Sequence, residues 1–225
     1  FKGEVVSQGL DNLDARFEEY YDLGARFAKW RAVITIDEEE TPTEQALRYN
    51  AIQLARYSQL AQAAGIVPMV EPEVIFDGDH SLERAEMVTT KTLQILFQTL
   101  IEYRVDLQGL ILKSSMVLAG SKYREQSTPE QVAQATLRTF HMSVPHDCAG
   151  IVFLSGGQAS KRSTDNLNAI AKMGAQPWPI TYSFSRALEE PFLHAWGGKK
   201  ENGPAAQKVL VDVCAENSLA AQGKL

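Results

Sequence analysis

Five times along the chain a short apolar, β-branched run is followed by a longer amphipathic stretch, and this alternation restricts the fold more than any other feature. The runs lie at Phe27 to Ile36, Ile66 to Ile75, Leu107 to Leu118, Ala149 to Gly156 and Pro179 to Arg186. They are apolar on both faces and separated by helix-length segments, so they read as parallel strands joined by right-handed crossovers. Thr41-Pro42-Thr43-Glu44 and Thr128-Pro129-Glu130-Gln131 each offer a cap hydroxyl, a proline at the first helical position and an acid or amide at the third, which predicts a capping box at both. Leu47, Ala51, Leu54 and Ala55, and later Val132, Thr136 and Phe140, recur at three- and four-residue steps, giving each helix one face to bury. Further helical patterns run from Leu13 to Leu23, Ser81 to Tyr103, Thr164 to Met173 and Ala205 to Leu219.

Two α/β architectures suit such a pattern, an open doubly wound sheet and a (β/α)8 TIM barrel. No G-x-G-x-x-G follows a strand, so the doubly wound sheet lacks its dinucleotide-binding fingerprint. Polar and charged residues gather near the C-terminal ends of four of the five strands, where a barrel assembles its active site. The expected fold is therefore the barrel, as one domain over residues 1–225.

Composition removes several classes of function. The 225 residues carry 22 basic and 28 acidic side chains, a net charge of −6, and 44% hydrophobic residues, which excludes a disordered chain or a disulfide scaffold. No basic block exists to neutralise a phosphate backbone, so a nucleic-acid partner is not expected. Apolar runs fall well short of the ~18–20 residues needed for a membrane span, and no signal peptide precedes them, so a cytoplasmic protein without a membrane partner is expected. Cys148 and Cys214 lack C-x-x-C spacing, and His80, His141, His146 and His194 lack metal-ligand spacing, so no metal site is expected. Trp30, Trp178 and Trp196 read as packing residues, and Gly197 to Asn202 as a helix-start turn.

Residues two apart on a strand share a face. Lys29 and Arg31 therefore point together, as do Glu71 and Glu73, and Gly109, Ile111 and Lys113 form a row that ends in one lysine. A lysine in such apolar company is poorly solvated, and cations such as Lys29 or Arg31 nearby would lower its pKa further, so that it is partly a free amine able to condense with a carbonyl. The alternative is a lysine that pairs with a glutamate and plugs the barrel. Glu71 and Glu73 flank Pro72, an awkward sequence for a central strand; they are either structural ion-pair partners or an acid and base. Ser155-Gly156-Gly157-Gln158 and Ser183-Phe184-Ser185-Arg186 close the last two strands. Backbone N–H groups at a glycine turn, joined by hydroxyls and a guanidinium, suit a phosphate, though a bare Ser-Gly-Gly is more often only a turn.

Taken together, Phe27-Ala28-Lys29-Trp30-Arg31, Val70-Glu71-Pro72-Glu73, Leu112-Lys113, Phe153-Leu154-Ser155-Gly156-Gly157-Gln158, Arg186-Ala187-Leu188 and Ala195-Trp196-Gly197-Gly198-Lys199 through Asn202 resemble class I fructose-1,6-bisphosphate aldolases. The likeness runs in order from about Ser7 to Lys224. It implies metal-free aldol cleavage of fructose 1,6-bisphosphate to dihydroxyacetone phosphate and glyceraldehyde 3-phosphate, with no cofactor, in glycolysis and gluconeogenesis. Lys113 matches the Schiff-base lysine, Glu71 the acid and base, Lys29 a lysine supporting proton transfer, and Glu73 a carboxylate ordering the neighbouring lysines. Ser155, Gly156, Gly157, Ser183 and Arg186 match the phosphate grip, and Arg31 lies beside it. The resemblance also implies a homotetramer. The family's first three barrel strands have no counterpart here, so about five C-terminal β/α units are expected. Ser114-Ser115 stands where the family commonly has Pro-Asn, and Ser185 where it has glycine. The competing readings are a transaldolase-like enzyme acting on another phosphosugar and a non-catalytic scaffold for cytoskeletal or membrane-pump partners.

Overall fold

Five parallel strands pair in chain order in a computed structural model that describes residues 3–37 and 40–225. They are β1 (Phe27–Ile34), β2 (Val67–Val74), β3 (Ile111–Ser114), β4 (Gly150–Phe153) and β5 (Ile180–Tyr182). Helices α1 (Leu13–Asp22), α2 (Glu44–Ala63), α3 (Leu82–Glu102), α4 (Pro129–Ser143), α5 (Ser160–Lys172), α6 (Arg186–Trp196) and α7 (Gly203–Ala220) complete the chain. This is the strand–helix alternation of a barrel, present here as five of its units.

Register decides which side chains share a face. Arg31 lies opposite Glu71, Val70 opposite Leu112, Lys113 opposite Val152, and Val152 opposite Thr181. One face of the sheet thus carries Ala32, Val70, Leu112, Ile151 and Phe153, all buried beneath the helices, each worth ~1.5–3 kcal/mol if large and apolar. The other face carries Lys29, Arg31, Glu71, Glu73 and Lys113. Stacked rings of Phe140 and Phe153, 5.8 Å apart, tie α4 to the sheet.

Several local expectations change. The third run is not one long strand: Leu107–Gly109 forms a 3-10 turn capped by Asp106 Oδ1, which accepts from Gln108 N at 3.0 Å. Gly109 therefore lies outside the inward row, which begins at Ile111. The capping box at Thr128 and Gln131 forms in full, but the one expected at Thr41 does not. Thr41 instead exchanges hydrogen bonds with Asp37, and Thr43 caps α2, two residues later. The fifth strand ends at Tyr182, and Arg186 opens α6, a helix whose pattern is obscured by Pro191 and by having only Ala187 fully buried. α5 begins at Ser160 rather than Thr164. Pro72 is accommodated within β2: the N–H groups of Val67 and Ile75 donate to Arg26 O, just before β1, and to Ile34 O at its end, so the missing N–H of Pro72 faces β3, beyond the last paired position at Val70.

Candidate active site

Lys113 is the third residue of β3, and strand alternation turns it onto the polar face while Leu112 and Ser114 are buried on the other. Its Nζ stands 3.2 Å from Glu71 Oε1, and its side chain is 14% exposed against 5% for Glu71. Lys29 Nζ lies 2.8 Å from the other oxygen, Oε2. One carboxylate is therefore held between two ammonium groups from two neighbouring strands. The ion pair that sequence left as an alternative for Lys113 is present, and it joins the same two residues that the catalytic reading needed.

One turn of side chains along, Arg31 Nε donates to Glu73 Oε2 in a short hydrogen bond. That bond, reinforced by the charges of Glu73 and Glu71, raises the Arg31 pKa above its ordinary value against the opposing effect of burial. Arg31 is thus committed to a carboxylate while its side chain remains 44% exposed.

The turn after β4 supplies the second half of the site. Gln158 N donates to Ser155 O at 3.1 Å, closing a turn in which Gly156 and Gly157 have φ of 61° and 88°. Both angles belong to the left-handed region that side chains disfavour. A Cβ at Gly156 would meet Leu154 Cδ1 at 2.9 Å, and one at Gly157 would sit 3.7 Å from Arg186 Nη2, so the guanidinium at the start of α6 lies over this turn. Ser183 N is already used, donating to Phe153 O at 2.8 Å; its hydroxyl remains to meet a ligand. The glycine turn, the start of α6 and its guanidinium thus lie together, the parts from which an anion cradle is built.

These two halves open onto one pocket of about 260 Å³, lined by Arg31, Glu71, Glu73, Lys113, Ser155, Gly156, Ser183 and Arg186, with Leu154 and Ser185. Of the expected site residues, Lys29 and Gly157 do not line it. Lys29 reaches it through Glu71, and Gly157 through Arg186. Ser185, read from sequence only as a departure from a glycine, is on the wall, its hydroxyl donating to Glu189 Oε1 at 3.0 Å. Its adjacency to Arg186 is the signal that could have placed it there.

Elsewhere, a larger apolar hollow of about 590 Å³ between α5, the start of β5 and the end of α7 has no ionisable side chain in its lining. Cys148 is buried, and burial raises its thiol pKa. Among the described residues no three His, Cys, Asp or Glu side chains cluster as metal ligands would, and no helix is long and apolar enough to cross a membrane. Trp30 packs on Tyr57 and Trp178 on Phe140, whereas Trp196, against expectation, is 42% exposed at the end of α6, where a helix tip has little sheet to cover it.

A sequence model of the glycolytic fructose-bisphosphate aldolase class-I family matches residues 1–225. A probable class 1 fructose-bisphosphate aldolase of Xanthomonas campestris pathovar campestris is 49% identical over 99% of this chain. A fructose-bisphosphate aldolase of Schistosoma mansoni is 46% identical and a cytosolic one of Arabidopsis thaliana 44%, each over 98%. The chain spans 66%, 61% and 56% of the lengths of these relatives. Among solved structures, the fructose-bisphosphate aldolase of Plasmodium falciparum, crystallised with TRAP and a small-molecule inhibitor, superposes with a TM-score of 0.95 at 44% identity, over 97% of this chain and 63% of that one.

Proposed function

The chain belongs to the class-I fructose-bisphosphate aldolase family, and from that premise we propose that its polar sheet face cleaves fructose 1,6-bisphosphate reversibly to dihydroxyacetone phosphate and glyceraldehyde 3-phosphate through an imine on Lys113. The observation that carries this reading is the shared carboxylate: Glu71 stands between Lys113 and Lys29, in the pocket that also holds the anion cradle.

Each step has a group in reach. Lys113 passes a proton to Glu71, 3.2 Å away, and the freed amine adds to the ketone carbon of the sugar. Glu71 returns a proton to the carbinolamine oxygen, water leaves, and an iminium remains. Glu71 then removes the proton from the carbon-4 hydroxyl as the bond between carbons 3 and 4 breaks. The electron pair of that bond flows into the iminium and leaves an enamine, while the hydroxyl carbon departs as the aldehyde. Protonation of the enamine and hydrolysis of the imine release the ketone and restore Lys113. Lys29 holds the carboxylate through both roles, and Glu73 with Arg31 fixes the neighbouring charge. Ser155, Gly156, Gly157, Ser183 and Arg186 hold a phosphate of the sugar. The steps draw on side chains alone, without a cofactor.

The five units form, in this proposal, the C-terminal part of an eight-stranded barrel domain. The sheet of five strands and the 63% coverage of the solved relative support that reading. A cytoplasmic, homotetrameric protein is proposed likewise, the first supported by the relative named as cytosolic and the second by the family resemblance; light scattering measures the assembly. The catalytic proposal is tested by mixing the protein with dihydroxyacetone phosphate and sodium borohydride. A reduced adduct mapped to Lys113 and lost in Lys113→Ala is expected. An unmodified Lys113 at saturating ligand overturns the proposal.

A further inference from the structure

We propose that Gln158 is a positioning residue that holds the anion-gripping turn at a set distance from the Lys113 strand. This rests on the reading above and extends it to a side chain that touches neither proposed substrate nor Lys113. Gln158 is 3% exposed, and few environments tolerate a buried amide unless its bonds are met. Its backbone N–H closes the turn on Ser155 O, its side-chain Oε1 accepts from Asn166 Nδ2 at 2.7 Å, and its Nε2 points to Met116 Sδ at 3.8 Å.

Those three partners lie on three separate segments of the chain. Ser155 is in the turn itself, Asn166 is 1% exposed on α5, and Met116 follows three residues after Lys113. Gly156 and Gly157 adopt their left-handed angles without restraint from side chains of their own, so the turn depends on its neighbours for a fixed shape. Gln158 is the neighbour that links it both to α5 and to the segment that follows β3. The cavity it lines with Ser115 and Ser155 holds only about 10 Å³, too little for the amide to swing into. Removing the Asn166 bond frees the turn to move relative to α5 and to the segment that leaves Lys113, and the cost falls on phosphate binding rather than on the reactivity of the amine.

The test compares borohydride trapping by dihydroxyacetone phosphate with trapping by unphosphorylated dihydroxyacetone, in the wild type, Gln158→Met and Asn166→Leu. For a single hydrogen bond we expect the half-saturating concentration of the phosphorylated ketone to rise about tenfold in either variant. That of the plain ketone stays unchanged, and the double variant is no worse than either single one. Asn166→Leu breaks the same bond from the helix side and keeps the loop sequence, should Gln158→Met fail to fold. A general loss of structure moves both ketones together, and that result overturns the proposal, as does an unchanged half-saturation for the phosphorylated ketone. Inorganic phosphate followed by the amide resonances of Gly156 and Gly157 reads the turn without any chemistry. Weakened phosphate binding in the variants supports Gln158 even where trapping fails in the wild type, an outcome that sinks the aldolase mechanism alone.

Discussion

Replacing Glu71 with glutamine keeps the shape of the side chain and removes the negative charge from between two ammonium groups. At 3.2 Å and an effective dielectric of about 20, the gross attraction between Lys113 and Glu71 is about 5 kcal/mol. Lys29, 39% exposed, is well screened and adds at most about 1 kcal/mol. Part of the Lys113 attraction only offsets the desolvation of two groups held 14% and 5% exposed, so the net loss on breaking the pair is expected to be about 3 kcal/mol. Most of that loss comes from leaving the Lys113 ammonium without its counter-charge. Removing the ammonium as well, in Glu71→Gln with Lys113→Met, therefore recovers about 2 kcal/mol of it. Urea denaturation followed by circular dichroism measures both variants against the wild type. A cost below about 0.5 kcal/mol for Glu71→Gln, or a double variant no more stable than that single one, refutes the electrostatic account of the site.

Arg186→Ala removes the guanidinium over the glycine turn and is expected to raise the half-saturating concentration of dihydroxyacetone phosphate in borohydride trapping at least tenfold, with the saturated trapping rate little changed. His80 is half-buried, and desolvation lowers its pKa below the ordinary 6.5. The unfolded chain therefore takes up a proton first as pH falls through 6.5, and stability declines from there down to the lower folded-state value. His80→Gln should remove that part of the decline, measured as urea midpoints from pH 7.5 to 5; parallel curves for the two proteins count against it. Cys148, whose thiol burial makes harder to ionise, should resist iodoacetamide at pH 8 while the half-exposed Cys214 is alkylated, and mass mapping of the labelled peptides distinguishes them.

Much of the fold could be read along the chain because helix and strand leave different periods in the same alphabet. Thr128 and Gln131 announced α4 through a purely local pattern of bonds, and it formed as expected. Thr41 offered the same pattern, but its hydroxyl and N–H are taken by Asp37, four residues upstream in the same connection, so a competing local bond decides there. α6 escaped notice because it buries little and carries an internal proline, so neither periodicity nor propensity marked it.

The site divides the same way. Face-sharing within a strand follows from alternation, so Lys29 pairs with Arg31 and Glu71 with Glu73 on one face whatever strand lies beside them. Residue types and their order along the chain also sufficed to suggest an amine, a carboxylate and an anion cradle. What one strand cannot state is its register against the next. The parallel ladders set Glu71 level with Arg31 and, one step beyond the Val70–Leu112 pair, beside Lys113, and side-chain reach then gives Glu71 to the two lysines and Glu73 to Arg31. Those pairings arise from hydrogen bonds between segments some forty residues apart, and no interaction within either segment could have chosen them.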